Sequence, residues 1–365
     1  MDITLRSSKS SKQRLLGQRP SSSLWLRTLL LITLAIGLTG CDESEPQAER
    51  ISLSGATMGT TWSVVIAASS DSDIDTNTLQ QDIATLLIDI NAQMSTYDPE
   101  SEISQFNKHT NSEWFPVSAA LTGLVTLSHD ISEASGGAFD STIGPLVNLW
   151  GFGPNPKPDQ IPSDQQINNA NQLVGYEKVT WRNSPPSLKK STDGLVLDLS
   201  AIAKGYAVDQ LSELLNKNKI SDYLVEIGGE MKAAGKRPSG DPWRIGIERP
   251  LEGQRSTQRV IKLYGTAIAT SGDYRNYYEE DGIRYSHTIN PKTGKPITHN
   301  LASVTVLAED CAVADGLATA LNVLGAKKGL ELANHRQIAA LFLVRNGNGF
   351  DELASKAFTE QVHED

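Results

Sequence analysis

The sequence predicts an α+β fold, with a mixed or antiparallel sheet core flanked by helices in a single compact domain with subdomains. Three observations predict it. Helically spaced segments and β-branched segments alternate in the first half of the chain. In the second half, strand-like segments follow one another at hairpin spacing, too close for the long crossovers that parallel pairing requires. Across 365 residues, 39% hydrophobic and 21% charged content is that of a globular chain rather than a disordered one, and no repeat of fixed period interrupts it.

Each element has its own signal. Residues 51–68 contain TTWSVVIAA, rich in β-branched residues, and read as the first strand. Residues 78–94 and 119–135 place apolar side chains at helical spacing. Residues 151–165 hold four prolines and read as a loop, followed by a short helix at 163–172. Further strands are expected at 194–200, 223–228, 243–248, 259–264, 301–308 and 339–345, and helices at about 312–323 and 326–334. The folded domain is set at 51–350, with 351–365 as a C-terminal tail.

The first forty residues differ from the rest. Arg6, Lys9, Lys12, Arg14, Arg19 and Arg27 precede TLLLITLAIGL at 28–38. This apolar run is shorter than the roughly 20 residues that span a bilayer and has the size of a signal-peptide core. It leads into Leu38-Thr39-Gly40-Cys41, which resembles a bacterial lipobox. That resemblance implies a signal peptide at 1–40, lipidation of Cys41, a tether at 41–50 and a lipoprotein at the membrane. Asp42 resembles an inner-membrane retention signal, so the expected location is the periplasmic face of the bacterial inner membrane. Without residues 1–40 the chain carries 27 basic and 42 acidic side chains, formally −15. No basic stripe remains, which argues against a nucleic-acid partner. Cys311 is the only cysteine besides Cys41, so no disulfide is expected.

Four stretches carry candidate chemistry. In DLSAIAKGYAVDQL (198–211) a lone Lys204 sits among small apolar residues beside Gly205, where a turn enters a helix. Backbone N–H groups at such a turn attract anions, and the lysine adds a full charge. Asp198 either binds a cation or ligand hydroxyl there or caps the helix, and Lys204 either holds an anion or extends to water. In CAVADGLATALNVLG (311–325), Asp315 and Thr319 share one helical face. A buried carboxylate there needs a cation, either Mg²⁺ with oxygen ligands or an ion pair with Lys204 or Arg284. In RYSHTINPKTGKPITHN (284–299), His287 precedes a Pro- and Gly-fixed loop. It is either a general base near neutral pH or a hydrogen-bonded core histidine. The turn at Gly136-Gly137-Ala138-Phe139-Asp140 either lines a pocket or is a tight structural turn.

Together these stretches resemble the ApbE family, the FAD:protein FMN transferases. The matching pieces, in order, are TMGTTW (57–62), STYDPESEISQFN (95–107), GGAFDSTIGPLVNLWGFG (136–153), DLSAIAKGYAVD (198–209), the Ile-Gly-Gly-Glu turn (227–230), ATSGDYRN (269–276), SHTINPKTGKP (286–296) and CAVADGLATAL (311–321). The resemblance implies an enzyme that takes FAD as substrate with Mg²⁺. It moves FMN onto a threonine hydroxyl of a partner protein and releases AMP. It implies acceptors among the subunits of membrane redox pumps. By motif position, Met58, Tyr97, Ala138, Phe139, Asp140, Asp198, Lys204 and Ile289 contact FAD. His287 is the catalytic base, and the metal ligands are the Ala201 carbonyl, Asp315 and Thr319. One departure is Asn290, where the family loop often has Asp before Pro; a side chain that only caps the turn serves equally well as Asn. FAD hydrolysis to FMN and AMP, or a non-catalytic FAD-binding lipoprotein, are the alternatives to transfer.

Overall fold

In the computed structural model, eight strands pair into an antiparallel sheet that carries an apolar core on each face. The structure describes residues 48–362 apart from 70–71, 111, 155–157, 159, 252–255, 274–275 and 281. The leader, Cys41 and all but the last residues of the tether lie outside the described residues. None of the described helices is long and apolar enough to cross a membrane.

The strands are β1 (Glu49–Thr57), β2 (Thr60–Ala68), β3 (Phe115–Pro116), β4 (Val179–Asn183), β5 (Pro186–Lys190), β6 (Tyr223–Ile227), β7 (Glu230–Ala234), β8 (Trp243–Glu248) and β9 (Thr257–Leu263). They continue with β10 (Ala267–Gly272), β11 (Tyr277–Glu280), β12 (Ile283–Ser286), β13 (Ile289–Asn290), β14 (Lys295–Pro296), β15 (Leu301–Ala308), β16 (Ala339–Asn346) and β17 (Gly349–Ala354). The helices are α1 (Thr76–Met94), α2 (Glu102–Lys108), α3 (Ala119–Ala134), α4 (Gly144–Leu149), α5 (Asp164–Asn171), α6 (Ala203–Lys217), α7 (Cys311–Arg336) and α8 (Lys356–Gln361). The main sheet runs β1-β2-β6-β7-β10-β15-β16-β17, and its pairs are antiparallel.

Because side chains alternate along a strand, each face of the sheet has its own core. Trp62, Val64 and Ile66 of β2 and Val225 and Ile227 of β6 join α1, α3 and α6 on one face. Val304, Val306 and Phe342 meet α7 through Ala314, Ala318 and Leu321. The opposite face, through Ile268, Leu307, Leu341 and Leu343, is covered by Trp243, Ile245 and Ile261 of the β8–β9 hairpin and by Phe358 of α8. Being covered on both sides, β15 is buried at seven of its eight positions.

Three expectations are corrected. Residues 51–68 form two strands, because Met58 and Gly59 take positive φ values of 48° and 71° and turn the chain back on itself. The 194–200 segment is extended but belongs to no ladder; its contact of that kind is an isolated bridge from Val196 to Ile143. The segment set apart as a tail supplies the edge strand β17, paired along β16, and the closing helix α8. The two helices expected after residue 311 are found on either side of Gly325, where φ 75° and ψ 171° break the helical path of α7.

Lys190 on β5 is 1% exposed. Its ammonium donates to the carbonyls of Phe106 (3.3 Å), Asn107 (2.9 Å) and Leu195 (3.4 Å). The first two belong to the last turn of α2, where Phe106 also accepts the His109 N–H (3.1 Å) and Asn107 has no other donor among the described hydrogen bonds. Burial lowers the lysine pKa, partly offset by Asp193. Replacing Lys190 by Met keeps the stem and strands these carbonyls. The expected cost is about 2 kcal/mol, read as a fall in melting temperature of roughly 3 °C by calorimetry.

Candidate active site

The extended segment before α6 is held by side chains rather than by a neighbouring strand. The Asn107 side chain accepts from Leu197 N–H (2.7 Å) and donates to its carbonyl (2.9 Å). The Asp198 N–H donates to the Ser141 carbonyl (2.8 Å), tying this segment to the Gly136–Asp140 turn. Asp198 Oδ1 accepts from Ser200 N–H (2.9 Å). It therefore shapes the turn and does not cap α6, which starts after Ile202 without a side-chain cap.

Gly205 sets the next contact. A Cβ at this position would lie 2.4 Å from the Cys311 carbonyl oxygen and 2.8 Å from the Ala312 Cα, so only glycine lets α6 meet the start of α7. One turn along α6, Asp209 accepts from the N–H groups of Cys311 and Ala312, both at 2.9 Å, and from Lys232 Nζ at 2.8 Å. These bonds satisfy donors that an α7 N-terminus otherwise leaves open. Asp315, one turn into α7, then comes opposite Gly205 and accepts its N–H at Oδ2 (3.1 Å). Gly205 is the third residue of α6, so its N–H has no acceptor within the helix, and Asp315 supplies one. Among the described hydrogen bonds none ends on the Ala201 carbonyl and none involves the Thr319 hydroxyl.

Lys204 turns inward instead of reaching for bulk water. Its Nζ lies 3.1 Å from Glu230 Oε2 and 3.8 Å from Asp315 Oδ2, while 28% of its side-chain surface stays open to an anion. Burial works against the ammonium, but Asp315 and Glu230 together outweigh it and its pKa is raised. Burial also raises Asp315 against the pull of Lys204 and of the Gly205 N–H. It pushes Glu230 up to about 7 despite Lys204. Two buried carboxylates thus share one ammonium, a net negative charge that a further cation would offset. Among the described residues no three His, Cys, Asp or Glu side chains cluster as a metal site. The donors that fit a cation are a main-chain carbonyl, a hydroxyl and one carboxylate, an oxygen set suited to a hard ion.

His287 is near enough to feel the charge of Lys204. Its Nδ1 lies 2.9 Å from the Asn276 carbonyl, which also accepts the His287 N–H (3.2 Å). A carbonyl only accepts, so Nδ1 carries the hydrogen and the neutral ring presents its lone pair at Nε2. Burial, then the charge of Lys204, lowers the His287 pKa below 6.5; the Asn276 contact and Asp273 oppose this. Phe152 meets the ring edge-on at 6.3 Å and continues into a stack through Tyr278 and Tyr285 to Trp150. The exposed Tyr97 donates to the Phe152 carbonyl (3.2 Å), and the negative charge of Asp198 reaches its phenol. The loop after His287 is fixed by Asn290, whose Oδ1 accepts from Lys292 N–H (2.9 Å), and by Trp150 Nε1 donating to the Gly294 carbonyl (2.8 Å).

Other expected residues have side chains engaged within the protein. Asp140 accepts from Thr142 N–H (2.8 Å), Thr142 Oγ1 (2.6 Å) and Tyr176 N–H (3.0 Å). Burial raises its pKa against these three bonds. Ala138 and Phe139 are each 3% exposed, and Ile289 is buried with Leu146, Trp150 and Ile167. Met58 forms the β1–β2 turn and packs on the main core.

The ApbE family model matches residues 58–342, most of the chain. This protein belongs to the ApbE family. A FAD:protein FMN transferase of Vibrio cholerae is 46% identical over 334 residues, covering 92% of this chain and 97% of that protein. The solved flavin transferase ApbE of the same species superposes with a TM-score of 0.80 at 45% identity, covering 86% of this chain and 99% of that one. The apo flavinyl transferase ApbE of Pseudomonas stutzeri gives 0.79 at 42% identity, covering 86% and 97%. The α+β class read from the sequence holds with the family.

In this ApbE chain the motifs meet as a group, but three participants had no assigned role. Glu230 is a charged residue directly after a Gly-Gly turn, a signal that marks the position without revealing its burial. Asp209 is legible only once α7 is known to start beside it. The Asn276 carbonyl has no side-chain signal at all. Since Asn290 Oδ1 serves as a turn cap, an Asn290→Asp variant is expected to change stability by less than about 0.5 kcal/mol and to transfer at the same rate. A strongly raised rate, measured by AMP release, would show that a carboxylate there takes part in chemistry.

Proposed function

We propose that this ApbE protein is a Mg²⁺-dependent FAD:protein FMN transferase acting on a threonine hydroxyl of another protein. The observation that carries the reading is the meeting of Asp315 and Glu230 at the single Lys204 ammonium, a carboxylate pair with one cation too few. Among the described hydrogen bonds none ends on the Ala201 carbonyl, in the turn that leads to Lys204. The identity to a curated transferase along nearly its whole length supports the reaction class.

In this reading the threonine oxygen bonds to the FMN-side phosphorus of FAD, the pyrophosphate P–O bond breaks, and AMP leaves. The hydroxyl proton passes to His287 Nε2, the nitrogen left free by the Asn276 contact. Lys204 offers its open face to the pyrophosphate, where positioning and charge supply most of the catalysis. The Ala201 carbonyl, Asp315 and Thr319 would hold Mg²⁺, which neutralises charge on the pyrophosphate and the departing AMP when bound. Tyr97, whose phenol lies within reach of the Asp198 charge, would contact FAD together with Asp198 and with Met58 of the β1–β2 turn. Ala138, Phe139, Asp140 and Ile289 would act through the shape of their turns and backbone.

We further assign the chain to the periplasmic face of the inner membrane, anchored through a lipidated Cys41. The basic leader, the short apolar core and Asp42 support this. Its acceptors are then subunits of ion-translocating redox complexes in that membrane.

Incubation with FAD, Mg²⁺ and an acceptor domain discriminates the outcomes. Flavin fluorescence on the acceptor, with one AMP per flavin, is expected; soluble FMN alone would mean hydrolysis instead. Asp315→Ala is expected to abolish AMP release, and full activity in that variant would refute the metal assignment. His287 must be neutral to accept a proton, and its pKa lies below 6.5. Transfer is therefore expected to hold as pH falls to 6.5 and to decline only below it, as the ring becomes protonated. His287→Gln is expected to cost roughly 10²–10⁴-fold and to remove that acid limb; a limb that survives the substitution would assign the base elsewhere.

A further inference from the structure

We infer that Glu230 is a positioning residue, which holds the Lys204 ammonium away from Asp315 and so keeps that carboxylate open to a divalent cation. The inference rests on the reading of Asp315 as a cation ligand. Glu230 is 4% exposed, and apart from Lys204 its Oε2 has no hydrogen-bond partner among the described residues. A buried carboxylate with so little compensation is poor structural material, and an apolar residue of similar volume would serve packing better.

The hairpin that carries it is shaped for this contact. Gly228 and Gly229 both take positive φ, 61° and 109°. The Gly229 N–H donates to Glu226 Oε1 (2.8 Å), and Ser63 Oγ donates to Glu226 Oε2 (3.3 Å), anchoring the turn to β2. A Cβ at Gly228 would lie 2.9 Å from Thr60 Cγ2 and 3.3 Å from Lys204 Cδ, so the turn packs directly on the lysine stem. The result is an ammonium 3.1 Å from Glu230 but 3.8 Å from Asp315. Without the Glu230 charge, Asp315 is the remaining anion within reach of a flexible stem with three donors. A cation would then have to displace a bound ammonium.

The test uses Mn²⁺ as the probe, its free concentration read by electron paramagnetic resonance on the folded full chain without FAD. Glu230→Gln is expected to raise the Mn²⁺ dissociation constant roughly tenfold. In a Lys204→Met background the same change is expected to cost no more than about twofold, because no ammonium competes. Lys204→Met alone should bind Mn²⁺ at least as tightly as the parent, and Glu230→Asp, which keeps the charge, should stay near the parent value. If Glu230→Gln does not fold, these last two variants carry the test: weaker binding in Lys204→Met overturns the inference. Equal loss in both backgrounds, or no loss in Glu230→Gln, overturns it as well. Absence of Mn²⁺ binding by the unmodified chain is a separate result, which removes the cation reading itself.

Discussion

Gly205 lies so close to the first turn of α7 that no side chain fits between them. Helices rarely meet with a backbone carbonyl of one against a Cα of the other, because a Cβ normally intervenes. Here the approach is secured at three points: Asp209 closes the end of α7, Lys232 binds Asp209 from the sheet, and Asp315 takes the Gly205 amide. Each bond at this seam satisfies a group that burial would otherwise make costly. The seam also fixes the distance from the sheet to Lys204. The geometry of the candidate site is therefore a consequence of helix packing, imposed by Gly205, Asp209 and Lys232 together with Asp315 itself.

The electrostatics follow from that packing. Two carboxylates enter one poorly hydrated space because α7 supplies one and the β6–β7 hairpin supplies the other. A single lysine cannot neutralise both, and burial raises the pKa values of Asp315 and Glu230 in spite of it. Structures that serve only stability avoid such an excess, whereas sites that receive charged ligands keep it. His287, its pKa lowered by burial, adds no positive charge of its own near neutral pH.

Much of the fold was legible because periodicity reports burial directly. The apolar spacing of α1 and α3, the alternation in β2 and β6, and the glycine dividing α7 needed no tertiary information. The errors share a cause. The 194–200 segment is as apolar as a strand, with Leu195, Leu197 and Leu199 fully buried, but hydrophobicity does not say whether a neighbour offers backbone or side chains. The β1–β2 turn was hidden because its first residue is Met58, which seldom adopts positive φ. At the site, Lys204, Asp315, Thr319 and His287 stood out as side chains in sparse surroundings. Glu230 did not, because its burial depends on a hairpin tip folding onto the lysine, and a main-chain oxygen such as that of Ala201 has no side-chain signal.

The contacts that build the site span long stretches of chain: 110 residues between Gly205 and Asp315, and 144 between Trp150 and Gly294. Contacts of such separation form late, since the entropy of closing the intervening loop comes before any reward. A chain emerging from its N-terminus holds Lys204 well before it holds the carboxylate that faces it. The meeting of Lys204 with Asp315 and of Trp150 with Gly294 accordingly waits for most of the chain. A ligand that binds only the finished state stabilises it by mass action, so the substrate itself acts as a clasp on the last step of folding.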